Sequence, residues 1–232
     1  MTKPISVSVI IPAYNEEKLI ERTLKNIKKV LPQSQIIVSD GGSKDSTVRI
    51  AKKYAKVVFE KLHSVGGGRN AGAQVATSDI LLFVDADTFP TKSFVDSMFK
   101  EFSDENVVCV SCSIMPENLD LFSNLFFRFL NLIVIFNYLI GKPTIAGSCV
   151  AYRKSAFKKA KGFDPYTMSA EDFDLSLRIT EFGKVRFLTD LSVPTSNRRY
   201  KKLGLIGLCK DWTKTSINFI LGRKTSSYYA PR

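Results

Sequence analysis

Ile80-Leu81-Leu82-Phe83-Val84-Asp85-Ala86-Asp87 decides how this chain is read. Five apolar residues in an unbroken run suit a strand buried on both faces, as in a parallel sheet covered by helices. The run stops abruptly on two carboxylates one residue apart, held close by a rigid support. Their like charges repel unless a cation lies between or beside them. Mg2+ or Mn2+, hard ions that take oxygen ligands, would resolve that repulsion and also neutralise a substrate diphosphate. Standing alone, Asp85 and Asp87 would read as a solvated acidic turn; the segments on either side give them weight.

Upstream, Val7–Ile11 is a second β-branched run and ends at Pro12-Ala13-Tyr14-Asn15. Glu16 then opens a helix with Ile20, Leu24, Ile27 and Leu31 on one face. Ile36–Ser39 reads as a strand that ends at Asp40-Gly41-Gly42-Ser43, with Asp45 or Ser46 capping a helix that runs to Tyr54. Val57–Phe59 is a third strand; Gly66-Gly67-Gly68 reads as a flexible loop ahead of a helix over Arg69–Ala76. Downstream, the pattern predicts a helix near Thr91–Phe102 and strands at Val107–Cys112 and Ile145–Arg153. A helix over Glu171–Phe182 and a last short strand at Val185–Leu188 follow. Alternating strands and helices imply an α/β fold, a mostly parallel sheet flanked by helices. Ligands bind such sheets at the carboxyl ends of the strands. Pro12–Asn15, Asp40–Ser43 and Asp85–Asp87 should therefore open onto one crevice.

The residue types in those loops suit a nucleotide and its phosphates. A carboxylate just past a strand, as at Asp40, can accept from a base N–H or from ribose hydroxyls, although an ordinary capped turn explains Asp40–Ser43 as well. The glycines before Arg69 could let backbone approach phosphates with the guanidinium alongside. No Gly-Lys-Ser/Thr follows them, so this is not a Walker A loop. Ser169-Ala170-Glu171-Asp172 falls at a predicted helix start, where acids suit the helix dipole. Two adjacent acids there also offer a general base for a hydroxyl that must lose its proton as it attacks.

Taken in order, Pro12-Ala13-Tyr14-Asn15-Glu16, Asp40-Gly41-Gly42-Ser43-Lys44-Asp45, Asp85-Ala86-Asp87 and Glu171-Asp172 resemble the successive signatures of family 2 glycosyltransferases with the GT-A fold. The likeness runs from about residue 5 to about residue 190. It implies an inverting transferase that uses a UDP- or GDP-sugar. It assigns Pro12, Ala13, Tyr14, Glu16, Asp40 and Gly41 to the nucleotide, and Asp85 to the nucleotide or its ribose. Asp87 goes to a Mn2+ or Mg2+ ion and Asp172, with Glu171 beside it, to base catalysis. The chain departs from the family pattern twice. Gly68-Arg69-Asn70-Ala71-Gly72 stands where members often carry a Lys-Gly-x-x-x-Asn-x-Gly-like element, which would pass the phosphate contact to Arg69. Ser196-Asn197-Arg198-Arg199-Tyr200 stands where processive members carry Gln-x-x-Arg-Trp. That resembles non-processive members and implies transfer of one sugar, with Arg198 or Arg199 facing the diphosphate or a lipid phosphate.

The 232 residues, 44% of them apolar, are enough for one catalytic domain over 1–195 and a tail over 196–232. A formal net charge of +12 implies anionic partners. Between Ser196 and Arg232 the basic residues Arg198, Arg199, Lys201, Lys202, Lys210, Lys214, Arg223, Lys224 and Arg232 face a single acid, Asp211. Cys109 and Cys112 form a C-x-x-C without a second pair at zinc spacing, and His63 is the one histidine, so buried reduced thiols are expected. No signal peptide is visible, and the expected place of work is the cytoplasmic side.

Residues 118–141 predict an amphipathic helix with Phe122, Leu125, Phe126, Phe129, Leu132, Ile133, Phe136, Leu139 and Ile140 on one face. Asp120, Asn124, Arg128, Asn131 and Tyr138 lie opposite. Its charge-free run, Phe129 to Gly141, is shorter than the roughly 20 residues a spanning helix needs. A second amphipathic segment, Leu203–Leu221 with Trp212, lies within the basic tail. Such helices suit an anionic membrane surface, and a peripheral or monotopic enzyme acting on a sugar or lipid-linked acceptor is expected. Docking onto the protein itself or a dimer interface is the alternative. A metal-dependent nucleotidyltransferase is a rival, but it would call for a basic loop after the first strand, and Pro12–Glu16 has no lysine or arginine. A non-catalytic basic protein binding lipid or nucleic acid is another; carboxylates lining the crevice argue against nucleic acid.

Overall fold

In the computed structural model of the chain, residues 5–167 and 170–220 are described; Ser169, Leu221, Arg223, Lys224 and Arg232 lie outside them. Seven strands form one sheet: β1 (Val7–Ala13), β2 (Gln35–Asp40), β3 (Lys56–Phe59), β4 (Ile80–Val84), β5 (Val107–Pro116), β6 (Cys149–Arg153) and β7 (Lys184–Thr195). Their order is β3-β2-β1-β4-β6-β5-β7. Parallel pairs join β1 to β2 and β4, β2 to β3, and β5 to β7, whereas β6 runs antiparallel to both β4 and β5. The helices are α1 (Ile20–Val30), α2 (Thr47–Ala51), α3 (Val65–Val75), α4 (Lys92–Phe102), α5 (Leu121–Leu139), α6 (Lys154–Lys159), α7 (Glu171–Arg178) and α8 (Arg198–Ile220). The expected α/β sheet flanked by helices is therefore observed, and β4 lies at its centre, buried at all of its residues.

Two apolar clusters sandwich the sheet. One packs α1 and α4 against it through Ile20, Leu24, Ile27, Phe94 and Met98; the other packs Phe83, Tyr152, Phe157 and Phe163 on the opposite face. Cys109, Cys112 and Cys149 are buried and free, and burial pushes the Cys112 thiol up to about 12. They behave as small apolar residues.

Three expectations are corrected. The glycine triplet is the first turn of α3, not a loop, and Ser64 caps it by accepting from Gly67 N at 3.0 Å. Within the triplet a Cβ at Gly67 would stand 2.6 Å from Glu60 Oε1, and further along the helix one at Gly72 would stand 2.4 Å from Ile10 Cγ2, because the helix lies almost on the strands. The last strand is three times longer than the segment Val185–Leu188. Its pairing with β5 slips between Cys112 and Ser113, which throws the polar residues after Leu188 out of register before the strand resumes. Pro194 is tolerated in it because β7 is an edge. The strand predicted from Ile145 begins only at Cys149; Ile145 N donates to Ser176 Oγ at 3.2 Å and leads a small-residue loop, Ala146–Ser148, toward the cleft.

Helix α5 extends over 19 residues with Arg128 its sole charged residue; by length and composition it could cross a membrane, which corrects the expectation drawn from the shorter charge-free run after Arg128. Its apolar face is turned outward: Phe122, Leu125, Phe129, Leu132, Phe136 and Leu139 are all at least 59% exposed. The inward side carries Ser123, Phe127 and Asn131, and Asn131 Nδ2 donates to Ile114 O on β5 at 3.3 Å. A core helix would be oriented the other way. Helix α8 is broken at Gly204, whose φ of 65° is a left-handed conformation open to glycine.

Candidate active site

The strand ends converge on one cleft of about 1550 Å³ at the carboxyl edge of the sheet. Pro12, Ala13, Tyr14, Glu16, Gly41, Arg69, Asp85, Asp87, Glu171, Asp172, Arg198 and Arg199 all line it. Asp40 lies just beneath, 1% exposed: its Oδ2 accepts from Gly42 N and Ser43 N, both at 2.9 Å, and its Oδ1 has no partner among the described residues. His63 reaches over the same turn, its Nδ1 2.8 Å from Gly41 O.

Asp85 and Asp87 end β4 and face different partners. Arg69 Nη2 donates to Asp85 Oδ1 at 3.0 Å, and Arg198 Nη2 stands 3.2 Å from Asp87 Oδ2. Two guanidinium groups thus relieve the repulsion that the sequence suggested a metal would relieve. Burial, opposed by Arg198 and reinforced by Asp85 and Glu16, pushes the Asp87 carboxyl up to about 6. Arg198 also forks onto Glu16, its Nη2 donating to Oε1 at 2.7 Å, so Glu16 is committed to the start of α8. The chain around Asp87 is fixed from the same direction, since Ser196 N and Thr195 Oγ1 both donate to its carbonyl, at 2.9 and 3.2 Å. Arg199 pairs with Asp211 on its own helix.

The second charge cluster lies deeper. Arg69, its side chain 3% exposed, bridges Asp85 and Glu171, with Nη1 donating to Glu171 Oε1 at 2.8 Å. Its guanidinium stacks over Phe163 at 5.1 Å. Ala170 takes a left-handed turn, φ 65°, that starts α7 with Glu171 and Asp172 both in the cleft. Asp172 Oδ2 accepts from Gly147 N at 2.8 Å and Oδ1 from Phe173 N at 2.9 Å. Burial, with Asp172 adding to it and Arg69 opposing, lifts Glu171 to about 7; burial also raises Asp172, against the pull of Arg69. Gly147 has no counterpart in the motifs. A Cβ on it would stand 2.5 Å from the Arg69 guanidinium, so this glycine both admits Arg69 and holds Asp172. The signal for it was the small-residue run Ala146-Gly147-Ser148 ahead of β6.

Removing Arg69 would leave Glu171 and Asp85 without their counter-charge. Arg69→Met is expected to cost about 3–5 kcal/mol, read as a lowered denaturant midpoint at unchanged m-value.

A metal ion fits this cleft in a limited sense. Among the described residues no group of three or more His, Cys, Asp or Glu is arranged to hold one. Mg2+ and Mn2+ need less here, since one or two carboxylates plus substrate phosphates suffice. Asp87, at the cleft surface with Asp85 two residues away, offers that partial set.

The sequence of residues 8–160 matches the model of glycosyl transferase family 2. The chain belongs to this family. As a family 2 glycosyltransferase it is 27% identical to the O-antigen chain rhamnosyltransferase WbaN of Salmonella anatum, over 98% of this chain and 84% of that one. It is 31% identical to the probable glycosyltransferase YdaM of Bacillus subtilis, over 78% of this chain and 48% of that one. Among solved structures, the mannosyltransferase PcManGT from Pyrobaculum calidifontis, in complex with GDP-Man and Mn2+, superposes with a TM-score of 0.67 at 20% identity. It covers 92% of this chain and 65% of that one. Staphylococcus aureus TarS 1-349 gives 0.66 at 22% identity, over 87% of this chain and 64% of that one. These likenesses confirm the fold of the glycosyltransferase.

Proposed function

We propose that this glycosyltransferase moves a single sugar, with inversion, from a UDP- or GDP-sugar to an acceptor hydroxyl or phosphate at the cytoplasmic face of the cell membrane. The carrying observation is that the three strand-end loops and the Glu171-Asp172 helix start line one cleft. In this reading the nucleotide lies along Pro12, Ala13, Tyr14 and Gly41, with the unpartnered Asp40 Oδ1 as acceptor for a base N–H. Asp85 takes the ribose. A divalent ion held by Asp87 would neutralise charge on the leaving diphosphate. Asp172, oriented by Gly147 N, takes the proton of an acceptor hydroxyl, or of a singly ionised acceptor phosphate, as that oxygen attacks the anomeric carbon. The bond from that carbon to the diphosphate breaks on the opposite side. Arg69 keeps Glu171 and Asp85 apart from this chemistry in fixed positions, rather than reaching for phosphate itself. Arg198, held at the start of α8 by Glu16 and Asp87, faces the diphosphate side. The outward apolar face of α5 and the basic α8 support a peripheral or monotopic attachment.

A thermal-shift screen of UDP- and GDP-sugars with and without Mn2+ tests the donor. The right nucleotide at about 100-fold over its Kd should stabilise by about 2.7 kcal/mol, and more with Mn2+ than without. If neither nucleotide class shifts the melting temperature, the donor site is misassigned. A nucleotidyltransferase would instead release pyrophosphate.

A further inference from the structure

The active-site cleft does not end at Asp172. It continues between α5 and α8 as a groove walled by Phe126, Leu130 and Val134 on one side and Leu208 and Trp212 on the other. The two helices are joined at the N-terminal end of α5. Phe127 meets Trp212 edge-on at 5.8 Å between ring centres, and Tyr200 donates to Asp120 Oδ2 at 2.9 Å. The amides that could have made the wall polar are engaged elsewhere: Asn131 donates to Ile114 O, and Asn137 to Thr144 Oγ1 at 3.2 Å. The groove also has a side opening. Ile133 belongs both to its lining and to the outward face of α5, where it is 43% exposed. An apolar path therefore leads from the exposed face of α5, past Ile133 and Phe126, to the catalytic carboxylates.

A water-soluble sugar acceptor has no use for such a wall, whereas each methylene buried there is favourable. The charge beside the groove is mostly positive, although Arg199 shares its charge with Asp211. Arg199 and Lys202 line the cleft near its junction with the groove, and between Arg198 and Lys214 six basic residues face the single acid Asp211. We propose that the groove between α5 and α8 binds the hydrocarbon chain of a lipid-phosphate acceptor, entering sideways from the apolar face of α5 with its phosphate toward Arg199 and Lys202. This rests on the proposed glycosyl transfer for the meaning of the site, but its binding can be measured without it.

Trp212 is the only tryptophan in the chain, so its fluorescence reports the groove directly. The probe is a long-chain alkyl phosphate brominated on its chain, kept below its micelle-forming concentration; bromine quenches tryptophan on contact. Saturable quenching is expected, reversed by the unbrominated alkyl phosphate, absent with inorganic phosphate and weaker with the brominated alcohol. Leu130→Asn and Val134→Asn should weaken the probe by about tenfold or more, as loss of a few buried methylenes would. Phe129→Ser and Leu132→Ser on the outer face should leave it unchanged. Each variant is checked for folding by its UDP- or GDP-dependent thermal shift. Quenching that is absent, unsaturable, or lost with the outer-face pair but not with Leu130→Asn overturns the proposal, as does equal affinity for the alcohol. The reversal by the unbrominated chain in the unaltered protein needs no variant. Quenching without any nucleotide-dependent shift would instead retain the groove and remove the donor reading.

Discussion

Asp172→Asn is expected to lower transfer by about 10²–10⁴-fold while nucleotide binding persists. The substitution keeps the shape of the side chain but not its basicity. Its one remaining carbonyl oxygen can still accept from Gly147 N, the contact at 2.8 Å that orients the group, and only the bond from Phe173 N to the other oxygen is lost, so α7 should stay in place. What is lost is the acceptor for the substrate proton. The pH profile separates this from a merely structural effect. Burial raises the Asp172 carboxyl above its ordinary 3.8, and a base works only when ionised, so unaltered activity should climb with pH through that raised value. The residual activity of the variant should lack that limb.

Stability carries a second signature of the same pair. Glu171 is raised from 4.5 to about 7, so between those values the folded chain holds a proton that the unfolded chain has released. Its contribution is full below about 4.5 and is lost as pH rises through about 7. The Asp172 charge is part of what raises Glu171. Asp172→Asn should therefore flatten the fall in melting temperature over that interval. A profile as steep as that of the unaltered protein would mean that the two carboxyls do not interact.

The carboxyl edge of the sheet was legible because its signals are local. Apolar runs that stop on Pro12, Asp40 and Asp85 announce buried strands with polar ends, and parallel topology then forces those ends to one side. What was not legible depends on partners far along the chain. The glycines at 66–68 look mobile in isolation, and only the closeness of Glu60 to Gly67 and of Asp164 to Gly66 shows that they start a packed helix, while Gly72 against Ile10 lets α3 lie on the sheet. The second half of β7 is hidden by a register slip that depends on β5. The amphipathic pattern of α5 gave the face correctly but not its direction, because a period of 3.6 says nothing about which side is covered. Arg69 and Arg198 are the largest omission. Read as phosphate contacts, they are found holding Asp85, Glu171, Glu16 and Asp87, four pairings, the longest across 182 residues, that no local spacing reveals.

That last pairing shapes what should happen when Asp87 is replaced. Asp87→Ala is expected to remove metal-dependent transfer, a loss on the order of a thousandfold if the ion supplies several kcal/mol of charge stabilisation on the leaving diphosphate. The fold should survive it. Arg198 keeps its fork on Glu16, and the bonds from Ser196 N and Thr195 Oγ1 go to the backbone carbonyl of residue 87, which alanine retains. Removing a carboxyl that burial pushes up to about 6 also relieves a desolvation cost, so the melting temperature should hold or rise. Activity and stability thus move in opposite directions, as expected where a charge is kept for function. Mn2+ binding followed by electron paramagnetic resonance, with and without nucleotide, gives the direct readout. The unaltered protein should bind the ion tightly only when the nucleotide supplies its phosphates, because the described residues offer so few ligands. The variant should lose that nucleotide-linked binding. If Asp87→Ala keeps both the linked Mn2+ signal and the full rate, the ion is held elsewhere and Asp87 serves only to anchor Arg198.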